Sequence, residues 1–407
     1  YVQEQPVWAG DREISAVPTY NTGNAFGSST TPGGRFGLCT GTINSVTGIC
    51  SVGETRPSVG GIPGISTPGS GGQFTYWGTG EEGLDWRNRT GADIYNFAPD
   101  NYLLTPQERV STFANGTFRI TENVSFNAQL AYNNRKSEQL LAAMPVVLGS
   151  GPGAGAQAKG VHISEFSQYN PFGEPVSRVQ RRAVETGGRS FKQSVDTFAF
   201  SGALEGNFEI GDNYFSWDFG MVYGNNSQSD STDGLFNVLA LKNSLGPSQN
   251  GICYTDGSYT VAVNGCVPLN LLGDAGSITP EMLAYSTFQA HDQYGYTMTQ
   301  WFANISGDIV ELPGGMMSFA AGLEHREESG FDHPDALINS GNTTGNARTA
   351  TDGSYSLNEA YLELAVPLLQ DVFMAQVLEL SLATRYSDYS NFGDTTNSKI
   401  GFKWKPV

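Results

Sequence analysis

The sequence predicts an all-β protein, specifically an antiparallel transmembrane β-barrel wall carrying long polar loops at one end. Three observations predict it. Segments of about ten residues alternate apolar and polar side chains, the period of a strand with two different faces. Short turn-rich connections alternate with long connections rich in Gly, Ser, Asn, Thr and Asp. Tyr, Trp and Phe gather near the ends of the apolar faces, where rings tolerate a membrane interface.

The segments can be taken in order. Val110, Thr112, Ala114, Phe118 and Ile120 form a first face, disturbed by Phe113 on the opposite side. Val124, Phe126, Ala128, Leu130 and Tyr132 form a second, and Phe198, Phe200, Gly202, Leu204 and Phe208 a third. Phe215, Trp217, Phe219, Met221 and Tyr223 follow, then Trp301, Ala303, Ile305 and Ile309 with Phe302 on the polar side. Met317, Phe319, Ala321 and Leu323 precede Ala360, Leu362, Leu364 and Val366. Leu378, Leu380, Leu382 and Tyr386 alternate with Glu379, Ser381 and Arg385, and Ile400, Phe402 and Trp404 close the series. The expected hairpin turns are Thr121–Asn123, Ile210–Asn213, Leu312–Gly315 and Pro367–Gln370. Residues 10–105, 140–190, 226–292 and 328–354 are the expected long loops. A soluble sandwich does not place every long loop at one end.

Composition narrows the function. Charged residues make up 15% of the 407 residues, well below the roughly 25% usual in soluble domains. There are 22 Lys and Arg against 40 Asp and Glu, a net charge of −18, which argues against nucleic acid. The densest basic group, Arg178, Arg181, Arg182 and Arg189, is expected within a wall segment. No run of 18 apolar residues is present, which leaves strands as the means of crossing a membrane.

Cys39 and Cys50 lie in one Gly/Ser/Thr-rich stretch and Cys253 and Cys266 in another. Neither pair has the second Cys pair or His of a zinc site, so two local disulfides in an oxidising compartment are expected. On the chain-entropy picture each stabilises its loop by about 3 kcal/mol. His162, His291, His325 and His333 are scattered without an HExxH pattern, and no GxSxG occurs. Asp230-Ser231-Thr232-Asp233-Gly234 reads as an Asp/Ser turn, since it lacks the distal Glu of a calcium loop. No enzyme activity, metal or cofactor is expected.

Several stretches resemble TonB-dependent receptors, the plugged outer-membrane transporters of Gram-negative bacteria. They are Tyr169-Asn170-Pro171-Phe172-Gly173 with Arg181-Arg182 and Gly188-Arg189, then Gly265-Cys266-Val267-Pro268-Leu269-Asn270-Leu271-Leu272-Gly273 followed by Ile278–Met282. Val7–Glu13 resembles a strand end entering an outer loop, and Asn358–Leu368 with Arg385–Tyr389 resembles a late hairpin. The resemblance implies a partial outer-membrane barrel over residues 1–407, about half of a 22-stranded wall. The plug, the TonB box and the C-terminal strands are expected to lie outside this chain.

The resemblance further implies capture of a scarce bulky solute, a carbohydrate, siderophore or similar chelate, with a lean toward the carbohydrate type. Import would be driven by a TonB complex acting through the plug. Outer-membrane lipid and lipopolysaccharide are the expected surroundings. A passive porin-like channel and a secreted soluble β-rich binding protein are the alternatives. The expected ligand contacts are Trp8, Asp11, Arg12, Tyr76, Trp77, Tyr169 and Phe172, on the ground that rings and charges in outer loops can stack on and bond to a solute.

Overall fold

The computed structural model describes residues 1–17, 27–55, 73–76, 78 and 86–407. Its main feature is a ten-stranded antiparallel sheet in which every strand pairs with its neighbours in sequence. The strands are β1 (Val2–Glu4), β2 (Gln107–Arg119), β3 (Val124–Leu141), β4 (Arg189–Ile210) and β5 (Asn213–Phe236). They continue as β6 (Thr287–Leu312), β7 (Gly315–His333), β8 (Thr351–Val372), β9 (Ala375–Tyr389) and β10 (Gly393–Lys405). The sheet is a meander and is not closed on itself, with β1 and β10 at its edges.

The register gathers the apolar residues onto one face. Phe118 lies opposite Phe126, which lies opposite Leu204, and the row continues through Phe219, Ala303, Leu323, Ala360 and Tyr386. The adjacent row on the other face reads Ser125, Glu205, Asp218, Asn304, Gly322, Tyr361 and Arg385. A one-residue slip anywhere would exchange the two faces, so the alternation itself holds the register. No described element covers the apolar face: Leu323 is 63% exposed and Phe402 65%. Such a continuous uncovered face suits hydrocarbon and not water. No helix among the described residues is long and apolar enough to cross a membrane.

Glycines on this face sit under aromatic rings. A Cβ at Gly206 would come within 2.5 Å of the Trp217 ring, and one at Gly307 within 2.4 Å of Phe215. Phe302, on the polar side, fills the space left by Gly220 in the same way. At the turn end, Phe208 stacks on Phe215 at 5.2 Å and Trp404 donates to the Met374 carbonyl. Toward the other end of the apolar band, the Phe198 and Tyr223 rings are 6.0 Å apart.

Three of the four expected turns stand where the sequence places them. Ile210 pairs with Asn213 around Gly211, whose φ of 65° suits glycine, and Leu312 pairs with Gly315. Ile120 donates to the Val124 carbonyl in the first turn. The fourth turn is displaced to Phe373–Met374, because β8 continues through Pro367 to Val372. A register shift between Pro367 and Leu369 accommodates the residue that has no N–H to donate. β9 and β10 are joined at the opposite end by the short Ser390–Phe392 turn, so one outer connection is not long.

The long loops are also shorter than expected, because β5 runs on to Phe236 and β6 begins at Thr287. The Asp230–Gly234 turn is therefore mostly strand, with its irregularity between Thr232 and Leu235. What remains of the loops folds into a cap. A five-stranded sheet, ordered Trp86–Asn88, Phe74–Tyr76, Arg35–Leu38, Val176–Arg182 and Pro145–Gly149, combines strands from the first two long connections. Phe36, Phe74, Leu148 and Val179 from this sheet share a core with Phe236 at the top of β5, Leu241 and Leu245 of helix Val238–Ser244, and Leu269 and Leu271. Arg178, Arg181 and Arg182 therefore belong to the cap, and only Arg189 stands in the wall.

An arginine at the middle of the outward face, as in Leu204→Arg, should destabilise the sheet in lipid vesicles by about 2–4 kcal/mol. The same change at Asn127, on the polar face, should be close to neutral. Denaturant unfolding in vesicles measures both.

Candidate functional site

The cap is tied together from its buried strand Val176–Arg182. The Arg181 side chain is fully buried. Its Nε donates to the Pro32 carbonyl at 3.0 Å, its Nη1 to the Asn270 carbonyl at 3.0 Å, and its Nη2 to the Asp274 carbonyl and the Glu185 carboxylate, each at 2.7 Å. The same Glu185 oxygen accepts the Gly276 N–H at 2.8 Å. One guanidinium thus joins three long loops, and burial lowers its pKa against the opposing pull of Glu185. Next to it, Arg178 pairs with Glu54 at 2.7 Å, and Glu54 also accepts from Ser150 and Gln73. Burial raises the Glu54 pKa, but these partners together outweigh it and the net shift is downward. Arg182 reaches the Ala143 carbonyl and the Ser28 hydroxyl, with Tyr95 at 5.1 Å below its guanidinium.

The motifs that carried the family resemblance serve this architecture. Asn170 donates to the carbonyls of Ser164 and Glu174 and accepts the Phe172 N–H, which fixes the Asn-Pro-Phe-Gly turn. Asn270 accepts the Leu272 N–H and offers its own carbonyl to Arg181. Thr279 caps helix Pro280–Ser286. Cys39–Cys50 and Cys253–Cys266 are bonded, with Cα separations of 5.5 and 5.8 Å.

The expected ligand contacts fall into two separate groups. Tyr76 and Phe172 both pack edge-on against Trp86, at 5.1 and 5.2 Å, and Tyr169 leans on the same core. Trp8 meets Tyr102 at 4.7 Å at the root of the first loop, and Asp11 accepts the Trp8 N–H. Arg12 caps the short helix Glu13–Ala16 with its backbone. Trp77 lies outside the described residues. Trp8, Tyr76, Tyr169 and Phe172 are thus engaged in packing and Asp11 in capping, and the structure does not bring the two groups together.

A different set of residues lines a partly open space of about 760 Å³, a vestibule between the cap and the polar face of the wall. Arg135 of β3, Arg189 of β4, Asp230 of β5, and Asp292 and Tyr294 of β6 all project into it. The cap contributes Gly153, Gly155 and Arg348. Arg348 donates to Asp292 and to the Tyr294 hydroxyl, each at 2.5 Å, and stands 3.4 Å from Asp332. Asp292 also accepts the Asp335 N–H at 2.8 Å, so the 334–350 loop is latched to the wall. Asp230 accepts from Gln228 and Gln193. The volume lies within the roughly 300–1,000 Å³ of small-molecule sites.

The sequence does not single these residues out, because they lie above the apolar band; Asp230, Asp292 and Arg348 fall in stretches read as loop, and Arg135, Arg189 and Tyr294 at the margins of wall segments. The signal was present: Asp230, Thr232, Asp292 and Tyr294 keep the inward parity of the strands below them.

No family model and no curated protein matches the chain. Among solved structures, it is similar to the ferric-catecholate import receptor Fiu of E. coli K12 in its open form, at 13% identity and a TM-score of 0.36. That match covers 87% of this chain and 44% of Fiu. It is also similar to the siderophore receptor PiuA of Acinetobacter baumannii, at 10% identity and a TM-score of 0.31, covering 75% of this chain and 41% of PiuA. The chain thus spans less than half the length of either protein.

Replacing Arg181 by Met should leave Glu185 and three carbonyls without their donor and destabilise the cap by roughly 3–5 kcal/mol. Hydrogen exchange should then rise across Val176–Arg182 and the Asn270 loop while β4–β7 stay protected. Acid should loosen the cap edge separately. Asp93 is held down to about 2, from the usual 3.8, first by hydrogen bonds from Arg87 and then by Thr90, against the raising effect of burial. A depressed carboxylate contributes stability above its unfolded pKa and loses it as pH falls through the folded value. Exchange in the Trp86–Asn88 strand should therefore rise as pH falls from 3.8 toward 2, and Asp93→Asn should abolish that dependence.

Proposed function

We propose that this chain is the wall and outer cap of a TonB-dependent outer-membrane receptor that captures a scarce bulky solute and passes it inward. The observation that carries the reading is the pairing of a sheet apolar on one face and polar on the other with a folded cap enclosing a polar vestibule on the polar side. A protein that held a solute in the vestibule would release it along a wetted wall lined by Asp218, Asn304, Tyr361 and Arg385. The Asn-Pro-Phe-Gly and Cys-Val-Pro stretches support the same reading, since they build the cap that encloses the vestibule. In this reading residues 1–407 are a partial barrel domain, about half of a 22-stranded wall. A plug and a TonB box belong to the rest of the receptor, and lipid and lipopolysaccharide surround it.

The solute is a carbohydrate, a siderophore or a related chelate. Trp8, Asp11, Arg12, Tyr76, Trp77, Tyr169 and Phe172 remain proposed contacts for its arrival at the outer surface, with the vestibule as the deeper site. The cell is a Gram-negative bacterium, and the protein carries out no bond chemistry.

The test is solute uptake by cells expressing the full receptor, with and without a functional TonB complex. Uptake should disappear when the complex is lost, and the purified receptor should conduct little in planar bilayers. Uptake that survives loss of the complex, with steady conductance, would establish the passive channel instead.

A further inference from the structure

The luminal face of the wall carries arginines that no described residue neutralises. Arg135 of β3 lies directly opposite Arg109 of β2, on the same inward face. Neither makes an ion pair or side-chain hydrogen bond with any described residue. Arg189, in the neighbouring strand β4, uses only its Nε, which donates to the Ala142 carbonyl at 3.0 Å. Arg135 and Arg189 both face the vestibule. Like charges directly opposite on one face of a sheet are destabilising. The chain has 40 carboxylates for 22 Lys and Arg, so partners are not scarce.

The carboxylates that share the vestibule are already engaged. Asp292 is taken by Arg348 and the Asp335 N–H, and Asp230 by two glutamine amides. The space is thus divided: a satisfied acidic network stands on β5 and β6, and uncompensated guanidiniums stand on β3 and β4. Guanidinium forks match the geometry of carboxylate and phosphate oxygens. Gly153 leaves the cap side open, with no atom within 4 Å of where a Cβ would stand.

We propose that the vestibule holds its solute through oxyanion groups, carboxylate or phosphate, seated on Arg135 and Arg189 with Arg109 adding to the field. This rests on the receptor reading above and deepens it, placing acidic saccharides and carboxylate-bearing chelates ahead of neutral sugars. Arg348 is not part of the seat, because its donors already serve Asp292 and Tyr294. The net charge of −18 repels anions at long range, so the local guanidiniums also act as a selective sink inside a repelling shell.

The experiment is equilibrium binding of citrate and, separately, inorganic phosphate to the purified full receptor, read by intrinsic tryptophan fluorescence and calorimetry. Saturable binding of either anion, weakening with added salt, is expected. Citrate alone would indicate a carboxylate ligand and phosphate alone a phosphorylated one. Arg135→Gln and Arg189→Gln should each weaken it by about ten-fold or more, the loss of charge-assisted hydrogen bonds. Arg119→Gln, lower on the same face and outside the vestibule, should leave it unchanged. Because Arg135 bonds to no other described residue, its variant is expected to fold as the parent does, and it decides the matter if Arg189→Gln does not assemble. Absence of saturable binding of both anions, or affinity unchanged in Arg135→Gln, would overturn the proposal. Energised uptake alongside either of those results would leave the transport reading standing, whereas anion binding without energised uptake would remove the transport reading alone.

Discussion

The outer half of the molecule depends on one buried cation. Arg181 is fully buried, and it is tolerable because each of its three nitrogens donates to a carbonyl or carboxylate. Three of those acceptors lie 149, 89 and 93 positions from Arg181 in the chain. Satisfying one side chain therefore fixes the relative position of three loops, and the shared apolar core forms around that arrangement. A hydrophobic residue of similar volume would pack as well, but it would not specify which backbone segments meet there.

The wall obeys a different constraint. Its two faces contact two different solvents, so stability does not come from a packed interior between layers. It comes from continuous backbone pairing along strands of up to 26 residues and from keeping one parity apolar over the part that meets hydrocarbon. Above that band the outward parity turns polar, as Asn225, Ser227, Ser229 and Ser231 of β5 show, while the strands continue into water. These extensions give the vestibule its inner wall. The cap supplies its roof, and the Arg348 latch to Asp292 and Tyr294 joins roof to wall.

This arrangement separates rings that pack into the cap from arginines that face the vestibule. Tyr76, Phe172 and Trp86 spend their rings on each other and on the core. Arg135 and Arg189 form no ion pair with any described residue. Aromatic residues in a loop sequence are ambiguous between the two uses, because both exploit the same apolar area. Charge placement is less ambiguous, since an arginine on an inward face that pairs with no described residue keeps its donors free for water or for a bound anion.

The sequence by itself determined the wall. Period-two alternation from Phe118 to Trp404, the turns at Ile210–Asn213 and Leu312–Gly315, and both cysteine pairs are local patterns, and local patterns survive without knowledge of the fold. It misplaced the turn after β8, because Pro367 signals a break locally while a bulge in the paired strand absorbs it. It also stopped the strands at the end of the apolar band, because once both faces are wet, alternation no longer shows as a contrast in hydropathy. Only the tertiary structure decided the cap and the vestibule. The cap strands are three to seven residues long, too short to show a period, and their partners are distant in the chain. Which charges face the enclosed space, and which of them are already neutralised, depends on those long-range contacts and on nothing that neighbouring residues encode.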